Sequence, residues 1–174
     1  MANIKGQEVN SMEFWKKRIT EAKRSNKMHY SVYLAGDVLW NRIYKAHKKV
    51  IESLIKPGDK VLDAGCGYGR MSPLFDNYLG IDFSEDFIKE AQQLYPDKHF
   101  EVQDLNKLPY VSQSFDWAIV ISIKNMIIGN MGEEAWLPME KELKRVCKKV
   151  LILEYGEMED YTDTDDQMAK HEIL

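Results

Sequence analysis

The spacing of apolar residues changes several times along this chain, and each change marks an element. Between residues 11 and 23, Phe14 or Trp15, Ile19 and Ala22 fall on one helix face, with Ser11 placed to cap it. Leu39, Ile43, Ala46 or His47, Val50 and Leu54 predict a second helix over residues 38–55. Asp37 caps it and Lys56-Pro57-Gly58-Asp59 ends it. Lys60–Ala64 then reads as a short buried strand. Further strands are predicted over residues 78–81, 98–102, 114–121 and 150–154. The helices between them are a short one at 71–75, one opened by Ser84 with Phe87, Ile88 and Ala91 inward, and one over 133–146. In the last, Trp136, Leu137, Leu143 and Val146 are expected inward. Residues 129–132 are expected to be a loop. The run from Phe115 to Ile121 is almost wholly apolar, as in a central parallel strand covered on both faces. Strand alternating with helix predicts an α/β protein with a doubly wound, mostly parallel sheet.

Composition narrows the class. The chain has 174 residues, one domain's length, with 30 % charged residues and a net charge of −4. That balance fits neither a disordered chain nor a basic nucleic-acid binder. No apolar run reaches membrane-spanning length, and residues 1–6 lack the apolar core of a signal peptide. Cys66 and Cys147 have no metal-site spacing and make no disulfide framework, and the four histidines are scattered. A reduced, cytoplasmic protein without a bound metal is expected.

The chemistry gathers around Val61-Leu62-Asp63-Ala64-Gly65-Cys66-Gly67-Tyr68-Gly69-Arg70. A strand running into glycine at every second position permits a tight turn and close approach of backbone to a ligand. A helix start at residues 70–73 would aim free N–H groups at it. Asp82 lies 19 positions after Asp63 at the end of the next strand, near the spacing of a carboxylate that holds a ribose diol. Phe83 either covers an adenine ring or packs in the core. At the carboxyl end of the 114–121 strand, Ser122 and Asn125 are placed near any ligand of an open α/β sheet, with Lys124 expected to point into solvent. His29, Tyr30, Tyr33, Trp40 and Tyr44 either line a substrate pocket or pack the N-terminal helices. Tyr30 and Tyr33 are the stronger pocket candidates. His47 lies among Lys45, Lys48 and Lys49 and is expected on a wet half of its helix.

The motif Asp63-x-Gly65-x-Gly67-x-Gly69 resembles the cofactor loop of class I S-adenosylmethionine-dependent methyltransferases, and the resemblance runs over roughly residues 38–154. It implies a Rossmann-like methyltransferase fold with S-adenosyl-L-methionine as cofactor. It also places an acidic side chain, here Asp104, on the adenine amino group, with the Leu105 N–H on the ring. Asp116 would serve structure at a strand start. The cofactor-binding set is then Asp63, Gly65, Cys66, Gly67, Gly69, Asp82, Phe83, Asp104, Leu105 and Ser122. Tyr30, Tyr33 and Asn125 are the candidates for the acceptor side.

Three segments follow from this reading. Residues 1–37 form an N-terminal helix and lid, 38–156 the cofactor domain, and 157–174 an acidic tail. Two features depart from the family pattern. Cys147-Lys148-Lys149 replaces a Pro-Gly-Gly-like turn. The 20 residues after Glu154 are too few for a helix and two strands, so either the fold is shortened at its C-terminal end to about five strands or the chain is a fragment. An open strand edge there would be covered by the tail or by a homodimer or heteromer partner.

The resemblance implies methyl transfer, and a small-molecule acceptor is the default. Ser122-Ile123-Lys124-Asn125 lacks the Asn/Asp-Pro-Pro-aromatic pattern of amino-group methylation on bases or amides, and there is no Pro-Cys nucleophile for cytosine. The alternatives are a protein methyltransferase, a non-catalytic cofactor-binding subunit, and an NAD-dependent dehydrogenase. The glycine spacing and Asp104 count against the dehydrogenase.

Overall fold

The computed structural model describes residues 12–28, 37–155 and 169–174. Six strands form one sheet: β1 (Lys60–Ala64), β2 (Asn77–Asp82), β3 (His99–Val102), β4 (Phe115–Ile121), β5 (Cys147–Tyr155) and β6 (Ala169–Ile173). Their order is β3-β2-β1-β4-β5-β6, parallel throughout except for β6. The helices are α1 (Met12–Ser25), α2 (Asp37–Leu54), α3 (Glu85–Leu94), α4 (Lys124–Met131) and α5 (Glu133–Val146).

Both sheet faces are dry, which is why the central strands carry apolar residues at consecutive positions. One face takes Val61, Trp117, Ile119, Leu151 and Leu153 against Ile51 and Ile55 at the end of α2 and Ile88 and Ala91 of α3. The other takes Leu62, Ala64, Ala118, Val120, Val150 and Ile152 against Ile127 of α4 and Trp136, Leu143 and Val146 of α5. Each fully buried Leu or Ile contributes about 1.5–3 kcal/mol relative to exposure. Asp116 ties the amino ends of the strands together. It accepts from the Lys60 N–H at 2.9 Å and from Lys148 Nζ at 2.7 Å, the structural role expected of it.

The order β2-β1-β4 makes the carboxyl end of β1 the point where successive strands part in opposite directions. Such a crevice is where open α/β sheets bind ligands. α1 crosses nearby, with Ile19 packed against Tyr68 of the glycine loop and Phe87 of α3.

Several elements differ from expectation. The glycine loop leads into a single 3-10 turn, Ser72–Leu74, rather than an α-helix. β2 begins at Asn77, so the chain has room for only one tight turn there, and Pro73 supplies no N–H to extend it. The 129–132 loop shrinks to Gly132, whose φ of +88° separates α4 from α5. α4 was hidden because Met126, Ile127 and Ile128 run together without a helical period. Leu137 turns outward, since the inward face of α5 is set by Trp136, Leu143 and Val146. Lys124 is not a free solvated side chain but pairs with Glu172 at 2.6 Å. α5 runs directly into β5, because Cys147 is both its C-cap and the first strand residue, so no glycine turn is needed.

The largest difference is β6. Residues 169–173 of the acidic tail pair antiparallel with β5 from Leu151 to Tyr155. Of the two ways foreseen to cover the β5 edge, the tail is the one observed. The sheet has six strands among the described residues rather than about five.

Candidate functional site

Above the carboxyl end of β1 the chain turns through Gly65, Gly67 and Gly69, with φ of +75°, +55° and +78°. These are left-handed angles that cost other L-residues roughly 1–2 kcal/mol each. The turn is bonded to β2. The Gly65 and Cys66 N–H groups both donate to the Ile81 carbonyl, at 2.8 and 2.9 Å. The Gly67 N–H donates to Asp82 Oδ2 at 3.0 Å, and the Ser84 N–H donates to Oδ1 at 2.9 Å. Asp82 is therefore a fastener of the loop. Burial pushes its carboxyl up to about 6, against the opposing pull of its backbone hydrogen bonds.

Asp63 forms the floor. It is buried and accepts from the Tyr78 hydroxyl at 2.7 Å. Burial raises it to about 7, opposed by the Tyr78 bond and the nearby Arg70 charge and reinforced by Asp82. Burial likewise pushes the Cys66 thiol well up, so it is a packing group rather than a nucleophile.

These residues wall a cavity of about 440 Å³ along the sheet's carboxyl edge, within the roughly 300–1,000 Å³ of small-molecule sites. At its β2–β3 end lie Asp82, Phe83, Asp104 and Leu105. Asp104 Oδ1 is engaged by both the backbone and side-chain amides of Asn106, at 2.9 and 2.8 Å. Over the glycine loop lie Ser122 and Ile123. The remaining wall carries Arg70, Trp40 and Tyr155, with Phe14, Trp15 and Arg18 of α1. The Arg70 guanidinium stands 4.5 Å from the centre of the Trp40 ring, a cation–π contact.

Two polar atoms of residues in this wall are buried without a hydrogen-bond partner among the described residues: Arg70 Nη1 and Ser122 Oγ. Buried polar groups are normally satisfied; these two atoms are themselves sealed, and only a turn of the side chain would bring either to a ligand. Burial lowers the Arg70 pKa, but Tyr68 and Asp63 support the charge and the group stays a cation. At Gly65 a Cβ would stand 1.8 Å from Ile123 Cδ1, so that side chain packs directly on the loop.

The structure brings together Asp63, Gly65, Cys66, Gly67, Asp82, Phe83, Asp104, Leu105 and Ser122 in one wall. Phe83 lies at the cavity and is 40 % exposed, which removes the core alternative. Gly69 does not line the cavity. A Cβ there would meet the Phe100 ring at 2.7 Å, so its absence lets β3 and the loop pack. Asn125 is also outside the wall. It is exposed, and its backbone N–H donates to Glu154 Oε1 at 3.0 Å. The turn that begins α4 directs Ser122, Ile123 and Met126 inward instead. Tyr30, Tyr33 and His29 lie outside the described residues.

His47 is the clearest correction. It is fully buried rather than wet, and neither ring nitrogen has a well-formed hydrogen bond among the described residues. Burial and then the Arg70 charge lower it to about 3, while the Glu154 carbonyl pulls weakly the other way. It is a neutral imidazole outside the cavity wall. The lysines at 45, 48 and 49 misled because they flank it in sequence but not on its face of α2. Of the residues missed, Arg70 had a signal. A charge directly after the third glycine enters a turn too short to carry it into solvent.

Residues 61–150 match the family model described as a methyltransferase domain. The chain belongs to the class I S-adenosylmethionine-dependent methyltransferase family. An uncharacterized Methanocaldococcus jannaschii protein is 34 % identical over 86 residues, 46 % of this chain and 34 % of that protein. Phosphoethanolamine N-methyltransferase 3 of Arabidopsis thaliana is 34 % identical over 118 residues, 62 % of this chain and 24 % of the enzyme. The chain thus spans about a third or less of these relatives. Among solved structures, a Pyrococcus horikoshii OT3 protein superposes with a TM-score of 0.60 at 27 % identity. The match covers 76 % of this chain and 64 % of that one. The mostly parallel sheet flanked by helices is the fold of this family.

Proposed function

We propose that this protein binds S-adenosyl-L-methionine and transfers its methyl group to a small-molecule acceptor. The observation that carries the reading is one continuous cavity. A glycine loop fastened by Asp82 forms one part of it, and an aromatic wall under α1 forms another. In this reading Asp82 takes the ribose diol, Phe83 and Leu105 flank the adenine, and Asp104 meets the adenine edge. The Arg70 guanidinium, in the wall, suits the cofactor's carboxylate. Ser122 lines the same space, and its hydroxyl is the group we assign to meet cofactor or acceptor. When bound, the cofactor supplies a methyl group already activated on a sulfonium, with a neutral thioether as leaving group. The residues here bind, orient and exclude water rather than generate a nucleophile. Phe14, Trp15, Trp40 and Tyr155 give the acceptor side flat apolar surfaces.

Roofing by α1 favours a compact acceptor over a protein segment. The Arabidopsis relative is named for a small phosphorylated amine, which agrees with that class. Cys66 and Cys147 are both free and buried, which fits a reducing cytoplasm. The test is incubation with methyl-labelled S-adenosylmethionine and a fractionated extract. Label is expected in the metabolite fraction. Label confined to protein would replace the acceptor class, and binding without any transfer would leave a cofactor-binding subunit.

A further inference from the structure

β6 closes one sheet edge and presents another. Among the described residues it pairs with β5 alone. The direction of its free hydrogen-bonding groups follows from the ladder. Val150 and Leu174 exchange both bonds, N–H of Val150 to the Leu174 carbonyl at 3.1 Å and N–H of Leu174 to the Val150 carbonyl at 2.9 Å. In an antiparallel pair such hydrogen-bonded positions alternate. Lys170 and Glu172 therefore turn their main-chain groups toward β5, while Ala169, His171 and Ile173 turn theirs outward.

An outward edge of this kind is a template for another strand, and its side chains select which one. Lys170 and Glu172 share the face of α4, where Glu172 meets Lys124 at 2.6 Å. Suppose a second β6 pairs antiparallel through the outward residues. Centred on His171, the pairing sets Lys170 of each copy opposite Glu172 of the other, and Ala169 opposite Ile173. The two neighbouring registers that use the same outward groups set Lys170 opposite Lys170, or Glu172 opposite Glu172. Opposite charges facing across strands are favourable and like charges are not. One register alone is self-complementary.

We propose that β6 joins two copies of this chain edge to edge, through an antiparallel β6–β6 pair with a two-fold axis at His171. The sheet would continue from one copy into the next with α4 of both on the same face. A five-residue ladder is small beside the roughly 1,000 Å² that stable interfaces need, so the dimer should dissociate on dilution.

The register makes a covalent test available. Residues at a hydrogen-bonded antiparallel pair have Cα atoms about 5.5 Å apart, inside the roughly 4.4–6.8 Å span of disulfides. Under mild oxidation His171→Cys should give a cross-linked dimer of the full chain. Lys170→Cys alone should not, whereas Lys170→Cys mixed with Glu172→Cys should. Cys66 and Cys147 are buried and do not interfere. In light scattering over a dilution series, the unmodified protein should show a reversible dimer. His171→Pro should weaken it about tenfold or more by removing an outward N–H. That N–H does not donate to β5, so the strand itself should remain, as circular dichroism would check. A monomer at every concentration, failure of His171→Cys to cross-link, or equal cross-linking of Lys170→Cys alone would each overturn the proposal.

Discussion

The two parts of the cavity are built on different terms. On the β1–β2 side, polar groups are bonded to one another before any ligand is present: Gly65 and Cys66 to Ile81, Gly67 and Ser84 to Asp82, Tyr78 to Asp63. Elsewhere in the wall, Arg70 Nη1 and Ser122 Oγ are buried without partners among the described residues, and much of the remaining surface is aromatic. A pre-bonded cradle loses little entropy on binding and suits a ligand that never changes. A wall of aromatic planes leaves its complement to the acceptor. The first part is specific by backbone geometry, the second by whatever side chains surround it.

The largest break in this comparison should come from Gly65→Val. It forces a β-branched side chain into φ of +75° and drives a Cβ onto Ile123. Cofactor affinity should fall by roughly a hundredfold or more, measured by calorimetry on protein shown by circular dichroism to be folded. Affinity within threefold of the parent would mean the loop is not the cradle. Asp82→Ala comes next. Charge-assisted hydrogen bonds are worth about 1.5–3 kcal/mol, so the dissociation constant should rise tenfold or more. The melting temperature should also drop, because Gly67 and Ser84 lose their acceptor. A normal melt with unchanged affinity would place Asp82 outside the site.

What the sequence discloses follows the same division. The convergence of Asp63, Gly65, Gly67 and Asp82 on one cavity is legible because it rests on backbone angles and strand spacing, which few residue types satisfy. β1 was placed to the residue for the same reason. Trp40, Tyr155, Trp15 and Arg18 were not assigned, since an aromatic or a long cation at helical spacing serves equally in a core. Asn125 was misplaced by one helical turn's geometry, as α4 begins at Lys124 and swings it away from the cavity. β6 was obscured because a short charged strand carries no hydrophobic period of its own. His47 was misjudged from sequence neighbours, although burial is set by helix phase.

Two effects of pH sharpen the picture with opposite signs. Asp82 and Asp63 titrate near 6 and 7 in the fold against about 4 when unfolded. The folded apo protein thus keeps protons that the unfolded chain has released. Their contribution to stability falls as pH rises from about 4 to about 7 and is flat above. Ribose hydroxyls donating to Asp82 favour its ionised form. Cofactor affinity should therefore rise between about pH 5 and 7, with proton release on binding, and Asp82→Asn should flatten that rise. An affinity that falls with pH over this range would contradict the assignment. His47 acts the other way. It titrates near 3 in the fold and about 6.5 when unfolded, so its contribution is lost as pH drops below about 6.5. His47→Leu should reduce acid sensitivity and leave stability at neutral pH equal or slightly raised, because two buried ring nitrogens with no well-formed hydrogen bond among the described residues disappear. A large loss of stability at pH 7 would show that the imidazole has a partner.

The smallest effect on cofactor binding is expected from Ser122→Ala. Its hydroxyl has no partner to lose among the described residues, so affinity should change by less than about threefold, while methyl-transfer turnover should fall further than binding does. Equal losses in both would assign Ser122 wholly to the cofactor.

The central claim is that the loop and Asp82 cradle the adenosyl cofactor, and calorimetric titration of the unmodified protein tests it most directly. S-Adenosylhomocysteine should bind saturably at one site per chain, and NAD should give no heat beyond dilution under the same conditions. Saturable binding of NAD with no response to S-adenosylhomocysteine would contradict the account.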